Sequence, residues 1–212
     1  MRKQRWVRLG FGLICAVALA GPSVGQCGVR LNEILADPDR DWDGDGLVSP
    51  RNDEWVEVVA TADESLDGFF LGDDVGGFVY GLSGNLGAGE VRVVFGGEAA
   101  EWESQNGESV TGLRLGNTGD TVTLWQVAGT DILLVDSYTF LDHEAENDRS
   151  SGRLPDGGAD WMLFDGLTPY SGETMPTGSG LLPTPGAENG TGEASPVTHA
   201  TWGRIKSLYD QP

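Results

Sequence analysis

Thr121-Val122-Thr123-Leu124-Trp125 is followed by Gly129-Thr130-Asp131, Ile132-Leu133-Leu134-Val135 and Asp136-Ser137-Tyr138-Thr139-Phe140. The first run alternates, with Val122 and Leu124 on one face and the threonines on the other. A period of two is the pleat of a half-buried strand. Gly129-Thr130-Asp131 marks a turn, and the residues from Asp136 to Phe140 alternate again.

Similar runs lie on both sides. Upstream are Val29 to Leu35, Trp55 to Thr61, Leu66 to Leu71 (ended by Gly72-Asp73-Asp74), Phe78 to Leu82, and Glu90 to Phe95. In the last of these, Val91, Val93 and Phe95 share a face. Leu113-Arg114-Leu115 leads into a turn cluster at Gly116 to Asp120, and Trp161 to Phe164 is a short apolar run. No segment before residue 197 shows helical periodicity. About eight short strands separated by Gly, Asn and Asp predict an all-β fold, an antiparallel β-sandwich. Arg149 to Gly157 reads as a loop. From Thr168 the chain is rich in Gly, Pro, Thr and Ser, and Gly190 to Pro196 reads as a linker.

The ends differ from the middle. Residues 1–25 read as a secretory signal peptide: Arg2, Lys3, Arg5 and Arg8, an apolar run from Leu9 to Ala20, then small residues through Gly25. No other apolar run is long enough to span a bilayer, so the chain is expected to be secreted, extracellular or periplasmic. At the far end, residues 191–212 are expected to be linker and tail, with Trp202, Ile205 and Leu208/Tyr209 on one helical face. Such a segment suits a short docking or sorting tail.

Charge and cysteine content exclude some function classes. The 212-residue chain has a net charge of -20, and removal of the four basic leader residues leaves 9 Lys and Arg against 33 Asp and Glu, or -24. A chain this acidic repels phosphate backbones, so no nucleic-acid partner is expected. Cys15 lies in the leader, so Cys27 alone remains. One cysteine cannot form an internal disulfide, and the fold must be held without cross-links.

Asp41-Trp42-Asp43-Gly44-Asp45-Gly46-Leu47-Val48-Ser49-Pro50-Arg51-Asn52-Asp53-Glu54 is the clearest candidate site. Acidic residues at loop positions 1, 3 and 5, with glycine at 6, have the spacing of an oxygen-ligand calcium loop. Asp41, Asp43 and Asp45 would supply carboxylates, Leu47 a carbonyl, and Ser49 a hydroxyl or a water-bridged contact. Val48 would anchor the loop to the core. Position 12 is Asn52, where a bidentate carboxylate is usual, and Asp53 or Glu54 would substitute in a longer loop. A structural Ca²⁺ is the expected cofactor.

Asp142-His143-Glu144-Ala145-Glu146-Asn147-Asp148 is a second polar cluster. It lacks the glycine of a tight metal loop and reads as a solvated hairpin loop. Catalysis finds little support. His143 and His199 are the only histidines, and no Gly-x-Ser-x-Gly, His-Glu-x-x-His or phosphate-cradling loop occurs. Among the tryptophans, Trp55 and Trp125 read as core. Trp102, in Glu101-Trp102-Glu103, reads as an exposed loop residue that could stack on a sugar.

Six segments in order resemble a lamin tail domain of the secreted bacterial type. They are Leu31-Asn32-Glu33-Ile34; Asp53 to Val58; Leu66 to Asp73; Gly112 to Val122; Arg153-Leu154-Pro155-Asp156-Gly157 through Trp161; and Thr184-Pro185-Gly186-Ala187-Glu188-Asn189. The resemblance covers residues 29–190 and implies an immunoglobulin-like sandwich without catalytic activity. The loop at 41–54 also resembles the calcium loop of dockerin repeats. Together these imply a secreted interaction or structural module with a protein partner at the cell envelope or matrix. A carbohydrate-binding accessory module is the alternative, with a glycan as ligand.

Overall fold

The computed structural model describes residues 28–72 and 77–191. The leader, Cys27, the turn residues Asp73 and Asp74 and the tail from 192 onward lie outside the described residues. No helix among the described residues is long and apolar enough to cross a membrane.

Eleven strands form the fold: β1 Val29–Leu35, β2 Trp55–Ala60, β3 Glu64–Ser65, β4 Phe69–Gly72, β5 Phe78–Gly81, β6 Asn85–Leu86, β7 Val91–Phe95, β8 Gly119–Ala128, β9 Asp131–Leu141, β10 Ser150–Arg153 and β11 Trp161–Phe164. One sheet has the order β11-β10-β1-β2-β7, a second has β5-β4-β8-β9, and β3 and β6 make a small ribbon. Every strand pair within the sheets is antiparallel. Leu31, Ile34, Val56, Val58 and Val94 from the first sheet meet Phe69, Leu71, Val122, Leu124 and Phe140 from the second in one buried cluster. The chain is therefore an all-β antiparallel sandwich, as the alternation in β8 predicts. Val122 and Leu124 face the core.

Several local expectations are corrected. Gly96–Asn106 is a helix, α1, where no helix was expected. Its apolar stripe is weak, because only Ala99 faces the main core, and this hid it from a periodicity search. Glu98 accepts the Phe95 N–H at 3.2 Å at its start, and Gly107 ends it at φ 75°. Arg149–Gly157 is not all loop: β10 within it pairs with both β1 and β11. Its Gly152 must be glycine, since a Cβ would lie 2.7 Å from the Phe164 ring. Trp125 is half-buried on the outer face, not core, because its partner Phe70 also points outward. Trp102 sits on α1, where its ring meets Phe70 and Tyr80, both with centroids 6.4 Å away.

Strand β2 is buried at all six positions. Its second face, with Leu35, Trp55, Val93 and Phe95, forms another apolar cluster outside the sandwich. Trp42 from the acidic loop and Leu167 from the Gly/Pro-rich segment cover that cluster. The irregular segments thus act as a third layer over the five-stranded sheet.

Candidate metal loop and buried carboxylates

The loop between β1 and β2 is built around two side chains that point inward. Trp42 is 1% exposed, its ring centroid 6.2 Å from that of Trp55. Its indole N–H donates to Asp148 at 2.8 Å. Asp53, also buried, accepts the backbone N–H groups of Trp42 at 2.7 Å, Asp43 at 3.0 Å and Ser49 at 2.7 Å. Three amide donors on one carboxylate fix the loop's path before any ion is considered. Val48 does not anchor the loop, because it is 56% exposed, and Trp42 takes that role. A tryptophan offers more apolar area to bury than a valine, and here it also has a partner for its N–H.

The remaining candidates distribute as follows. Asp41, Asp43 and Asp45 bring one carboxylate oxygen each to within 4.8 Å of one another. Asp41 accepts from Gly44 N and Gly46 N, both at 2.8 Å, and Gly46 has the φ of 93° that this turn requires. Asp43 accepts from Asp45 N at 2.9 Å, and Asp45 from Leu47 N at 2.7 Å. The Leu47 side chain points to solvent. The Ser49 hydroxyl accepts the Asn52 N–H at 3.2 Å. Glu54 is directed away from the three aspartates and accepts from Leu115 N at 3.2 Å. Burial pushes its carboxyl up to about 8.

Asp43 is held above its ordinary value by partial burial and then by the charges of Asp53, Asp45 and Asp41, while its bond from Asp45 opposes this. Asp41, Asp43 and Asp45 could hold a metal ion; Ca²⁺, which takes six to eight oxygens, would need further ligands beside these three. A cation there would relieve the repulsion that raises Asp43.

The 142–148 segment is not a solvated loop. Asp142–Glu144 is a 3₁₀ turn, and Glu144 is 3% exposed. Glu144 accepts the Tyr138 hydroxyl at 2.6 Å, the Ser151 hydroxyl at 2.6 Å and Leu141 N at 2.8 Å. Asp148 accepts from Asp39 N and Arg40 as well as Trp42. The turn closes over the end of the sandwich, which removes these groups from water.

A buried carboxylate pair escaped the sequence reading. Glu33 and Glu57 face each other across β1 and β2, both fully buried. Ser150 Oγ donates to Glu33 at 2.5 Å, and Thr184 gives it its backbone N–H at 3.2 Å. Glu57 accepts from Asn32 Nδ2 at 2.8 Å and from Gly186 N at 2.7 Å. Asn189 donates to the Arg153 carbonyl at 2.8 Å and accepts from Thr184 Oγ1 at 2.9 Å. Four of the six segments that carry the family resemblance, those around 31–34, 53–58, 153–157 and 184–189, therefore meet at one junction. A glutamate inside each of two apolar strands was the signal available in the sequence. Compared with protein-family models, with curated proteins and with solved structures, the chain matches none.

Proposed function

We propose that the chain is a secreted, non-catalytic interaction or structural module of the lamin-tail type, immunoglobulin-like in topology, with Ca²⁺ bracing the 41–54 loop and a protein partner at the cell envelope. The observation that carries this reading is the assignment of its buried acids. Glu33, Asp53, Glu57, Glu103, Glu144, Asp148 and Asp165 all bind backbone N–H groups of the fold or its own side-chain donors. A catalytic acid must reach a substrate proton, whereas these are spent on holding loops. That use also suits a chain in which disulfides cannot do the holding.

Extracellular modules bind calcium at roughly 10⁻⁴–10⁻³ M. With about 1 mM free ion and a Kd of about 0.1 mM, the brace would contribute about 1.4 kcal/mol. The test is a thermal melt of the parent and of Asp43→Ala, each with 1 mM CaCl₂, about tenfold the assumed Kd, and then with chelator in excess over the calcium. A calcium-dependent rise in Tm that the variant loses supports the brace. Identical melts in calcium and chelator would remove it and leave a solvated acidic insertion.

A further inference from the structure

Two hollows meet at Leu86, where the β6–β7 turn faces the irregular segments that lie over the five-stranded sheet. The larger, about 660 Å³, lies between Glu90 and Val91 on one side and Pro155, Asp156, Ala187 and Glu188 on the other. The smaller, about 480 Å³, lies beside Asp63 and Glu64. Leu86 lines both, so they run together as one groove. The fold holds its walls in place. Gly186 N donates to Glu57 at 2.7 Å, Asn32 and Asn189 N each donate to Asp156 Oδ1 at 3.2 Å, and Gly89 N donates to the Ala60 carbonyl at 2.7 Å. A ligand would therefore meet a preformed surface of the size that ligand pockets have.

The groove combines an apolar lining with charge of one sign. Leu86, Val91, Pro155 and Ala187 supply the lining. A Cβ on Gly87 would lie 3.4 Å from Glu90 Oε2 and 3.8 Å from Asp63 Oδ1, so these two carboxylates converge over one turn. Each accepts a single backbone N–H, from Gly87 and Ala88 respectively. Asp156 accepts neutral amides alone, and Glu188 is exposed. Among the described residues none of these four, nor Glu64, forms an ion pair. Arg30 comes near, but its guanidinium donates to the Gly157 carbonyl at 3.0 Å. The acidity is not uniform over the molecule: Thr121, Thr123 and Trp125 give the outer face of β8 no charge. Carboxylates gathered beside apolar walls are complementary to cations on apolar stems.

We propose that this groove binds an extended segment of the protein partner that carries lysine or arginine side chains, an inference that rests on the reading of the chain as a protein-binding module. The side-chain stems cover Leu86, Val91, Pro155 and Ala187. The charged heads reach Asp63 with Glu90 at one end and Asp156 with Glu188 at the other. A metal ion alone would use the carboxylates and leave the apolar lining bare. A second copy of the chain would bring its own net negative charge to the same groove.

The probe is a synthetic Lys-Val-Lys-Val-Lys peptide, titrated by calorimetry into the full chain in chelator at about 0.15 M salt, where the Debye length is about 8 Å. Glu90→Gln with Glu188→Gln removes two charges from the groove. Glu101→Gln with Glu108→Gln removes two exposed charges on and just after α1 and is the charge-matched control. Ala187→Trp fills the groove at an exposed position without changing the charge. Affinity should fall about tenfold in the groove pair and in Ala187→Trp, and less than about twofold in the control pair. Equal losses in the two pairs would reduce the binding to net charge and overturn the proposal. So would binding to the parent that about 1 mM CaCl₂ abolishes, since the groove would then hold a metal ion and not a chain. If Ala187→Trp does not fold, the two charge pairs decide. A parent that does not bind the peptide would strike the groove alone, because the calcium melt tests the module separately.

Discussion

Glu33 and Glu57 are direct partners across the β1–β2 ladder, and neither side chain has measurable exposure. Two adjacent carboxylates cannot both ionise cheaply away from water. Burial raises Glu33 well above its ordinary value, and the charge of Glu57 raises it further. Burial pushes Glu57 up to about 8. Their donors come from Ser150, Asn32, Thr184 and Gly186, so the pair ties the irregular segment at 184–186 to the sheet. The pair is a clasp whose strength depends on its protons.

That dependence has a definite sign. Both folded values lie above the unfolded ones, so the native state holds protons that the unfolded chain releases. The stabilisation is complete below about 4.5, the ordinary glutamate value, and fades as pH rises toward about 8. Tm should therefore fall between pH 5 and pH 8.5, opposite to the acid denaturation of a chain held by ionised carboxylates, by an amount of order 10 °C. Glu57→Gln, which keeps the volume and removes the charge, should flatten this slope even if its misplaced amide costs about 1 kcal/mol. A variant with the parent's slope would show that the pair does not titrate in this window.

Trp42 is the pin of the acidic loop. Truncating it removes its contact with Trp55 and leaves Asp148 without its indole donor. Trp42→Ala should cost about 3–5 kcal/mol and lower Tm by about 10 °C. Trp42→Phe keeps most of the apolar area but removes one of the three donors to Asp148, so its loss should be nearer 1–2 kcal/mol. Denaturant melts of the three proteins test the order; equal stability for Phe and Ala would assign no weight to the ring.

Glu103 performs the same service for the α1–β8 connection. It accepts Thr111 N, Thr111 Oγ1 and Gly112 N, and it is 3% exposed. Glu103→Ala leaves two buried or part-buried amides without that acceptor, a cost of about 1–3 kcal/mol each at most. Amide exchange across residues 108–115 should accelerate while β8 and β9 stay protected. Uniform acceleration through the sandwich would mean that the clip supports the whole fold.

These clips explain what was legible in the sequence and what was not. Strands β1, β2, β7 and β8 could be read because alternation and β-branched residues report a pleated, half-buried surface. The gathering of the Asp41, Asp43 and Asp45 carboxylates could be read because alternate residues around glycines in a tight turn bring their side chains to one side. Strand β10, Ser150–Arg153, could not, since its residues are polar or glycine and it is a strand only through its neighbours β1 and β11. Helix α1 was hidden by an outer face that packs on Phe70 and Tyr80 instead of the main core. Glu33 with Ser150 and Thr184, or Trp42 with Asp148, are contacts spanning 106 to 151 residues, and no local pattern encodes them.

Asp53 and Asp43 separate shape from ion binding in the acidic loop. Asp53 shapes the loop through its bonds from Trp42, Asp43 and Ser49, whereas Asp43 adds a charge that its neighbours oppose. Asp43 is raised in the folded state, so without a cation its contribution fades as pH climbs. In chelator at pH 7, Asp43→Ala should therefore melt no lower than the parent, while Asp53→Ala should lose about 2–4 kcal/mol through three orphaned amides. In calcium the ranking changes. Asp43→Ala should gain nothing from the ion, the parent should gain about 1.4 kcal/mol, and Asp53→Ala should gain less than the parent because its aspartates are no longer held near one another. Melting all three proteins in calcium and in chelator gives the six values required. If Asp53→Ala gained as much from calcium as the parent does, the ion and not the buried carboxylate would be what gathers the ligands.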